Sequence, residues 1–216
     1  MVLQRSNLTP RDRDLLVALT RAVRVLSVNQ IAAHWFAAAA DAGRAATRRL
    51  GLLQERGFVE VFQMPACPEV AIPVCPLTEW EPGNAAPDFV SLARTLAQRW
   101  TQPAAPVSCV VATSASGTWL GGAGGRRPRR SEISHDLLLG ELYLGWRRRT
   151  PDGIAEWISE SRLRRLGYGD QTRLPDAMVD AGGVRRVIEV GGEYSASKLA
   201  EFHEFCATRG LSYELW

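Results

Sequence analysis

The sequence predicts an α+β or α/β protein with two domains in tandem. The first half carries three helix patterns followed by strand-like alternation, and the second half orders its patterns as helix, three strands, helix and strand. Hydrophobic residues make up 46% and charged residues 23% of the 216 residues, which is the balance of a folded chain. General disorder and collagen-like structure are therefore excluded.

Three helices are predicted in the first half from their start signals and apolar stripes. Thr9-Pro10 is a strong start, because threonine caps a helix and proline suits its first position. The expected helices are residues 10–22, a segment starting at Ser27, and residues 41–55. Gly57 ends the third helix, and the alternation over 58–62 predicts a strand. Residues 70–74 are expected to return as its partner, with Pro73 confining that strand to an edge.

The leading segment, about residues 8–76, resembles the winged helix-turn-helix superfamily. The resemblance is carried by the segments Leu26–Ala32, Thr47–Leu50 and Leu53–Val59. It implies that the third helix enters the DNA major groove and presents outward side chains to bases and phosphates. Those side chains are Arg44, Thr47, Arg48 and Arg49. Nine arginines against five acids up to Glu60 favour DNA binding, and a solvated face or a protein-docking module are the alternatives.

The middle of the chain is predicted to be a hinge with one amphipathic helix over 88–100, followed by a buried strand over 107–113. A flexible, glycine-rich loop that attracts phosphate is expected next, and a solvated surface loop is the alternative. Its basic residues are Arg126, Arg127, Arg129 and Arg130. The domains are expected to be a winged helix over 1–80, a helical linker over 81–106, and a second domain over 107–216.

The second half is predicted to contain a helix over 134–149, three strands, a helix over 195–208 and a final strand. The expected strands are 156–160, 174–179, 184–190 and 211–216. This order resembles the core of the PD-(D/E)XK nucleases. Pro175-Asp176 and Glu189–Gly191 stand where that superfamily carries its Pro-Asp and Glu-x-Lys elements.

The nuclease resemblance implies a metal site whose parts are incomplete in this chain. Asp176 and Glu189 would hold Mg²⁺ through oxygen, and the metal would polarise phosphate and activate water. Gly191 stands where lysine is usual, so Lys198, the single lysine of the chain, is the candidate replacement, and Glu160 is a further catalytic candidate. Each of these residues also has a structural explanation that needs no metal. Asp176 could be a turn residue, Glu189 a buried and hydrogen-bonded polar group, and Lys198 an ordinary solvated helix residue. Mg²⁺ is implied only if the site is active, and otherwise no cofactor is expected.

Nearly the whole chain resembles the replication-relaxation protein family of plasmids and integrated mobile elements. The segments that carry this resemblance, in order, are Ser134–Leu137, Trp157–Leu163, Leu174–Ala177, Ile188–Val190 and Lys198-Leu199. Family members often read Glu-x-Asp where this chain has Glu189–Gly191, which removes a further metal ligand. His135-Asp136 alone does not supply the separated ligands that an HD-type hydrolase needs.

The function expected from these observations is double-stranded DNA binding by a non-catalytic protein of a mobile element, acting in replication, transfer or transcriptional control. A homodimer is expected because many winged-helix proteins read two half-sites, and partner proteins of the same element are further candidates. A Mg²⁺-dependent endonuclease and a protein-binding adaptor are the alternatives.

The sequence also predicts a cytoplasmic protein without membrane contact. Its longest apolar runs stop near half of the ~20 residues that a membrane-spanning helix needs. The N-terminus lacks the apolar core of a secretory signal, and the four cysteines match no zinc or redox spacing.

Overall fold

The computed structural model describes residues 8–67, 75–99, 101–150, 155–168 and 174–216. These residues form helices and strands in an α+β arrangement with two sheets. In chain order the elements are α1 (Pro10–Val17), a π-helical turn (Ala18–Ala22), β1 (Leu26–Ser27), α2 (Val28–Trp35), α3 (Ala42–Glu55), β2 (Val59–Ala66), β3 (Thr78–Trp80), α4 (Phe89–Ala97), β4 (Ala105–Ala112), α5 (Ser114–Leu120), α6 (Ile133–Arg149), β5 (Ala155–Ser159), α7 (Glu160–Arg165), β6 (Ala177–Ala181), β7 (Val184–Glu189), α8 (Ala196–Ala207) and β8 (Ser212–Leu215).

The chain divides into two compact units whose boundaries differ from the expected ones. The first unit is formed by the described parts of residues 1–69 and 104–146, and the second by those of residues 70–103 and 147–216. Helix α4, which lies in the expected linker over 81–106, belongs to the second unit, and so does β3, which lies at the end of the expected first domain over 1–80. The expected second domain also begins too early, since β4, α5 and most of α6 belong to the first unit.

Local capping explains where the helices of the first unit begin. Thr9 and Asp12 form a capping box at α1, and Ser27 and Gln30 form another at α2. The Asp41 side chain accepts from the Arg44 backbone N–H at the start of α3. The three predicted helices are confirmed within one or two residues at their starts. The core of this unit includes Leu15, Leu16, Leu50, Leu53 and Phe58.

The sheet of the first unit has the order β1-β4-β2, and both of its strand pairs are antiparallel. The partner of β2 is β4, with Val59 opposite Ala112 and Ala66 opposite Ala105. Residues 70–74, the expected partner strand, lie outside the described residues. Because β4 pairs with β2 along its whole length, the predicted strand over 107–113 exists but belongs to the first unit.

One face of this sheet packs under the start of α6. Alternate residues of β2 and β4 share that face, and they form a cluster with Ile133 and Leu137. The sheet residues of the cluster are Phe62, Met64, Ala66, Val107, Cys109 and Val111. The segment that carries the four loop arginines leads directly into this helix, so its position is tied to the core.

The second unit is built on a five-stranded sheet with the order β3-β8-β7-β6-β5. Strands β5, β6 and β7 are antiparallel neighbours, β7 and β8 are parallel, and β3 closes the far edge antiparallel to β8. Helix α8 makes the crossover that a parallel pair requires. The predicted strands and the helix over 195–208 are confirmed here, whereas β3 and the short helix α7 were not predicted.

Two clusters of buried side chains hold the second unit together. One lies around Trp80, Met178, Val187, Phe205 and Tyr213. The other joins α4 to α8 and to the end of β8 through Leu96, Tyr194, Leu199 and Leu215. Among the described residues of the chain, no helix combines the length and apolar character needed to cross a membrane.

Candidate functional site

Helix α3 carries a basic, outward surface made of Arg44, Thr47 and Arg48, here called the α3 surface. All three residues are exposed, and the Arg44 side chain is 88% exposed with its Nε 3.7 Å from Asp41 Oδ2. The Arg48 side chain forms no ion pair or hydrogen bond with the residues that the structure describes. The side chains that sequence spacing predicted to face outward are therefore available to a ligand at these three positions.

Arg49 does not belong to that surface, which corrects the expectation that it faces outward. Its Nε donates to Asp12 Oδ1 at 2.8 Å, and a second guanidinium nitrogen pairs with Oδ2 of the same carboxylate. Asp12 is 1% exposed and the Arg49 side chain 20%. The physical reason is that a buried carboxylate needs a partner, and α3 supplies it from the side that faces α1.

The electrostatics of this pair keep both groups charged. Burial by itself would raise the pKa of Asp12, but hydrogen bonds from Arg49 and Thr9 outweigh it and hold that pKa below its usual value. The bond to Asp12 raises the pKa of Arg49. Since the folded-state pKa of Asp12 is depressed, its contribution to stability is present above the ordinary carboxyl pKa of about 3.9. It is lost as the pH falls through the lower folded-state pKa.

The glycine-rich part of the loop is held to the first unit by backbone hydrogen bonds. The Ala123 N–H donates to Thr20 O, and the Gly125 N–H donates to Ala112 O, each at 2.7 Å. A Cβ at Gly122 would lie 2.2 Å from Thr20 O. The glycine at 122 is therefore required for the close approach of this segment to the π-helical turn.

The four loop arginines are exposed, and their partners hold several of them in place. Arg127 Nε lies 3.0 Å from Glu60 Oε2, and its guanidinium stacks 4.8 Å from the centre of the Phe62 ring. Glu132 is shared, since it pairs with Arg126 at 3.4 Å, Arg129 at 3.9 Å and Arg24 at 3.2 Å. Arg130 is also exposed. This loop is a second basic surface whose charge is partly compensated by neighbouring acids.

Asp176 and Glu189 are brought together by the register of β6 and β7, in which Ala177 lies opposite Ile188. The Asp176 N–H donates to Glu189 Oε2 at 3.2 Å, and the Val190 N–H donates to Asp176 Oδ2 at 2.8 Å. The two acids that the sequence singled out are thus neighbours at the end of two strands.

Tyr194 completes this cluster, and sequence reasoning missed it. Its hydroxyl donates to Glu189 Oε1 at 2.6 Å, and the Lys198 Nζ lies 3.6 Å from the centre of its ring. Burial, with the nearby Glu189 carboxylate, raises the pKa of the Cys206 thiol to about 12. The only signal for Tyr194 in the sequence was its place between Glu189 and the helix that carries Lys198.

Glu160, a further catalytic candidate, and Gly191, the position of the usual lysine, both make structural contacts. The Glu160 carboxylate pairs with Arg164 at 2.7 Å on the exposed side of α7, and only its backbone N–H reaches the carbonyl of Asp176. At Gly191 an added Cβ would lie 2.3 Å from Leu96 Cδ2 and 2.7 Å from Cδ1. Leu96 is 1% exposed, so the place of the usual lysine is filled by the buried face of α4.

These residues do not fit a Mg²⁺ site. Glu189 is 2% exposed, and each of its two oxygens accepts a hydrogen bond from Tyr194 or from Asp176. Within the described parts of the chain, no group of three or more histidines, cysteines or acids is placed to hold a metal ion. The other acid–histidine pair that the sequence offered, His135 and Asp136, has its Nδ1 and Oδ1 atoms 3.4 Å apart.

Comparison with known proteins returns no relative. No protein family, curated protein or solved structure matches the chain.

Proposed function

We propose that the protein binds double-stranded DNA through a winged helix-turn-helix in its first unit. The order of elements supports this proposal: α1, β1, α2, α3 and β2 follow one another, and β4 returns between β1 and β2 in the sheet. In that fold the third helix is the one that lies in the major groove. The wing would then be the β2–β4 hairpin, with β3 and α4 inserted between its strands.

The observation that carries the proposal is the α3 surface. Arg44, Thr47 and Arg48 are exposed on the helix that would face the groove. Arginine donates two hydrogen bonds to guanine or pairs with phosphate, and threonine contacts phosphate or a thymine methyl. The loop arginines add a second surface that attracts the DNA backbone.

The second unit is proposed to be a PD-(D/E)XK-like scaffold without nuclease activity. Support comes from the meander β5-β6-β7 and from the crossover through α8 to the parallel strand β8. The lack of fit to Mg²⁺ at Asp176 and Glu189 argues against catalysis. With the resemblance to the replication-relaxation family, we propose a homodimeric DNA-binding protein of a mobile element, acting in its replication, transfer or transcriptional control.

Arg48→Ala is expected to weaken DNA binding by about 1–3 kcal/mol if the side chain reads a base. The measurement is a gel-shift titration with a 30-bp duplex enriched from a random pool by the wild-type protein, with ~30 bp chosen to span two half-sites. Arg94→Ala is the matched control, because Arg94 is an exposed arginine on α4 in the other unit. Equal affinities of wild type, Arg48→Ala and Arg94→Ala would remove Arg48 from the interface. No wild-type binding to any duplex at low salt would favour the adaptor alternative.

A Mg²⁺-dependent endonuclease is the second candidate, and the contact between Asp176 and Glu189 is the observation that favours it. We expect no nicking of supercoiled plasmid with Mg²⁺ or Mn²⁺ over a wide range of protein concentration. Metal-dependent nicking that Asp176→Ala abolishes would reverse this expectation and establish the enzyme.

A further inference from the structure

We propose that Asp12 is a positioning residue for DNA recognition, because its ion pair with Arg49 holds α3 in the rotation that presents the α3 surface. This inference rests on the proposed function. In this inference Arg49 contributes to DNA recognition by pairing with Asp12, and it does not contact the DNA itself.

Asp12 is fixed to α1 independently of α3. Its Oδ2 accepts from the Thr9 N–H and from the Thr9 hydroxyl, both at 2.7 Å, within the capping box of α1. The carboxylate is therefore a rigid acceptor at the start of α1. It does not depend on Arg49 for its orientation.

Arg49 grips this acceptor with two nitrogens, one on each carboxylate oxygen. A two-pronged contact of this kind sets direction as well as distance, because both hydrogen bonds are lost when the guanidinium turns out of plane. Arg49 directly follows Thr47 and Arg48 on the helix, so any rotation of α3 moves all three side chains together. Recognition side chains must be held within about 10–20° of their productive orientation.

The far end of α3 has its own polar contact. The Gln54 side-chain oxygen accepts from the Val61 N–H of β2 at 2.6 Å. That contact holds the C-terminal end of the helix, and the Asp12–Arg49 pair holds the stretch beside the α3 surface. Among the described residues, Arg44 has its polar side-chain contact with Asp41 at the start of its own helix, and the side chains of Thr47 and Arg48 have none, so the pair with Asp12 ties this stretch of α3 to another element.

The test separates positioning from a phosphate contact and from plain stabilisation. Asp12→Asn, Arg49→Met, Arg49→Lys and the double variant Asp12→Asn/Arg49→Met are compared with wild type. The probes are the duplex enriched from a random pool and a scrambled duplex of the same composition. Affinities are measured at several salt concentrations, at a temperature where circular dichroism shows each variant folded.

The expected result is a fall of about tenfold in discrimination between the two duplexes for Asp12→Asn and Arg49→Met. The double variant should lose no more than either single change, because one interaction is being removed. Arg49→Lys keeps the charge but cannot donate to both carboxylate oxygens as the guanidinium does. Its discrimination between the two duplexes should lie between those of wild type and Arg49→Met. In all four variants, the salt dependence of the DNA affinity should equal that of wild type.

Three results would overturn the inference. One is unchanged discrimination in folded variants. Another concerns the slope of log affinity against log salt concentration. A slope that is smaller in magnitude by about 0.9 in Arg49→Met but not in Asp12→Asn would mark a direct contact between Arg49 and a phosphate. The third is strictly additive losses in the double variant. Failure of the proposed function has a different signature, because wild type itself would then bind neither duplex.

Discussion

Gly191→Lys is expected to destabilise the second unit and to produce no nuclease activity, although it restores the Glu-x-Lys pattern. A Cβ at this position would lie 2.3 Å from Leu96 Cδ2, so the new side chain must displace a buried leucine of α4. Overpacking and the burial of an ammonium group together cost about 3 kcal/mol or more. The measurement is urea unfolding followed by fluorescence, alongside the plasmid-nicking assay.

Glu193→Lys is the matched control, because it introduces the same side chain two residues away at an exposed position. It should change the free energy of unfolding by no more than about 0.5 kcal/mol. If Gly191→Lys unfolds at the same urea concentration as wild type, Leu96 can move aside with little loss of stability, which contradicts this prediction. Nicking activity in that variant would mean that the centre lacks only its lysine, against our proposal.

Glu189→Ala is expected to lower the free energy of unfolding by about 3 kcal/mol. The change removes the acceptor for the Tyr194 hydroxyl at 2.6 Å and for the Asp176 N–H at 3.2 Å. It also leaves a void in the interior, because the Glu189 side chain is 2% exposed. Chemical denaturation of wild type and variant under identical conditions measures the difference.

Two conservative variants separate the parts of this effect. Tyr194→Phe removes one hydrogen bond and should lower the free energy of unfolding by about 1 kcal/mol. The hydrogen bond from the Asp176 N–H to Glu189 is left in place by this change. Glu189→Gln keeps the shape and one acceptor oxygen, so its loss should be smaller than that of Glu189→Ala. Full stability of Glu189→Ala would contradict a structural role for the carboxylate and return it to the list of catalytic candidates.

The helices of the first unit were predictable because their signals are local. The threonine and serine caps, the apolar stripes and the glycine after α3 act on neighbours within one or two turns. The outward direction of Arg44, Thr47 and Arg48 follows from the same period. The contact between Asp176 and Glu189 was also within reach, since antiparallel neighbours joined by a short turn place their far ends together.

The domain boundaries were not predictable in this way. Strand β2 pairs with β4, which comes after β3 and α4 in the chain, and the pairing depends on which distant strand completes the sheet. An apolar strand pattern predicts that a segment is buried, but it does not indicate which other strand will pair with it. The expected partner strand over 70–74 lies outside the described residues.

The sequence by itself determined the α+β class, the starts of the main helices and the outward direction of Arg44, Thr47 and Arg48 on α3. Only the tertiary structure decided that Arg49 turns inward to Asp12, that the loop approaches Thr20 closely at Gly122, and that Leu96 fills the place beside Gly191. The reason is physical: helix caps and stripes are set by residues a few positions apart. Ion pairs and close backbone approaches are set by groups that meet only after folding.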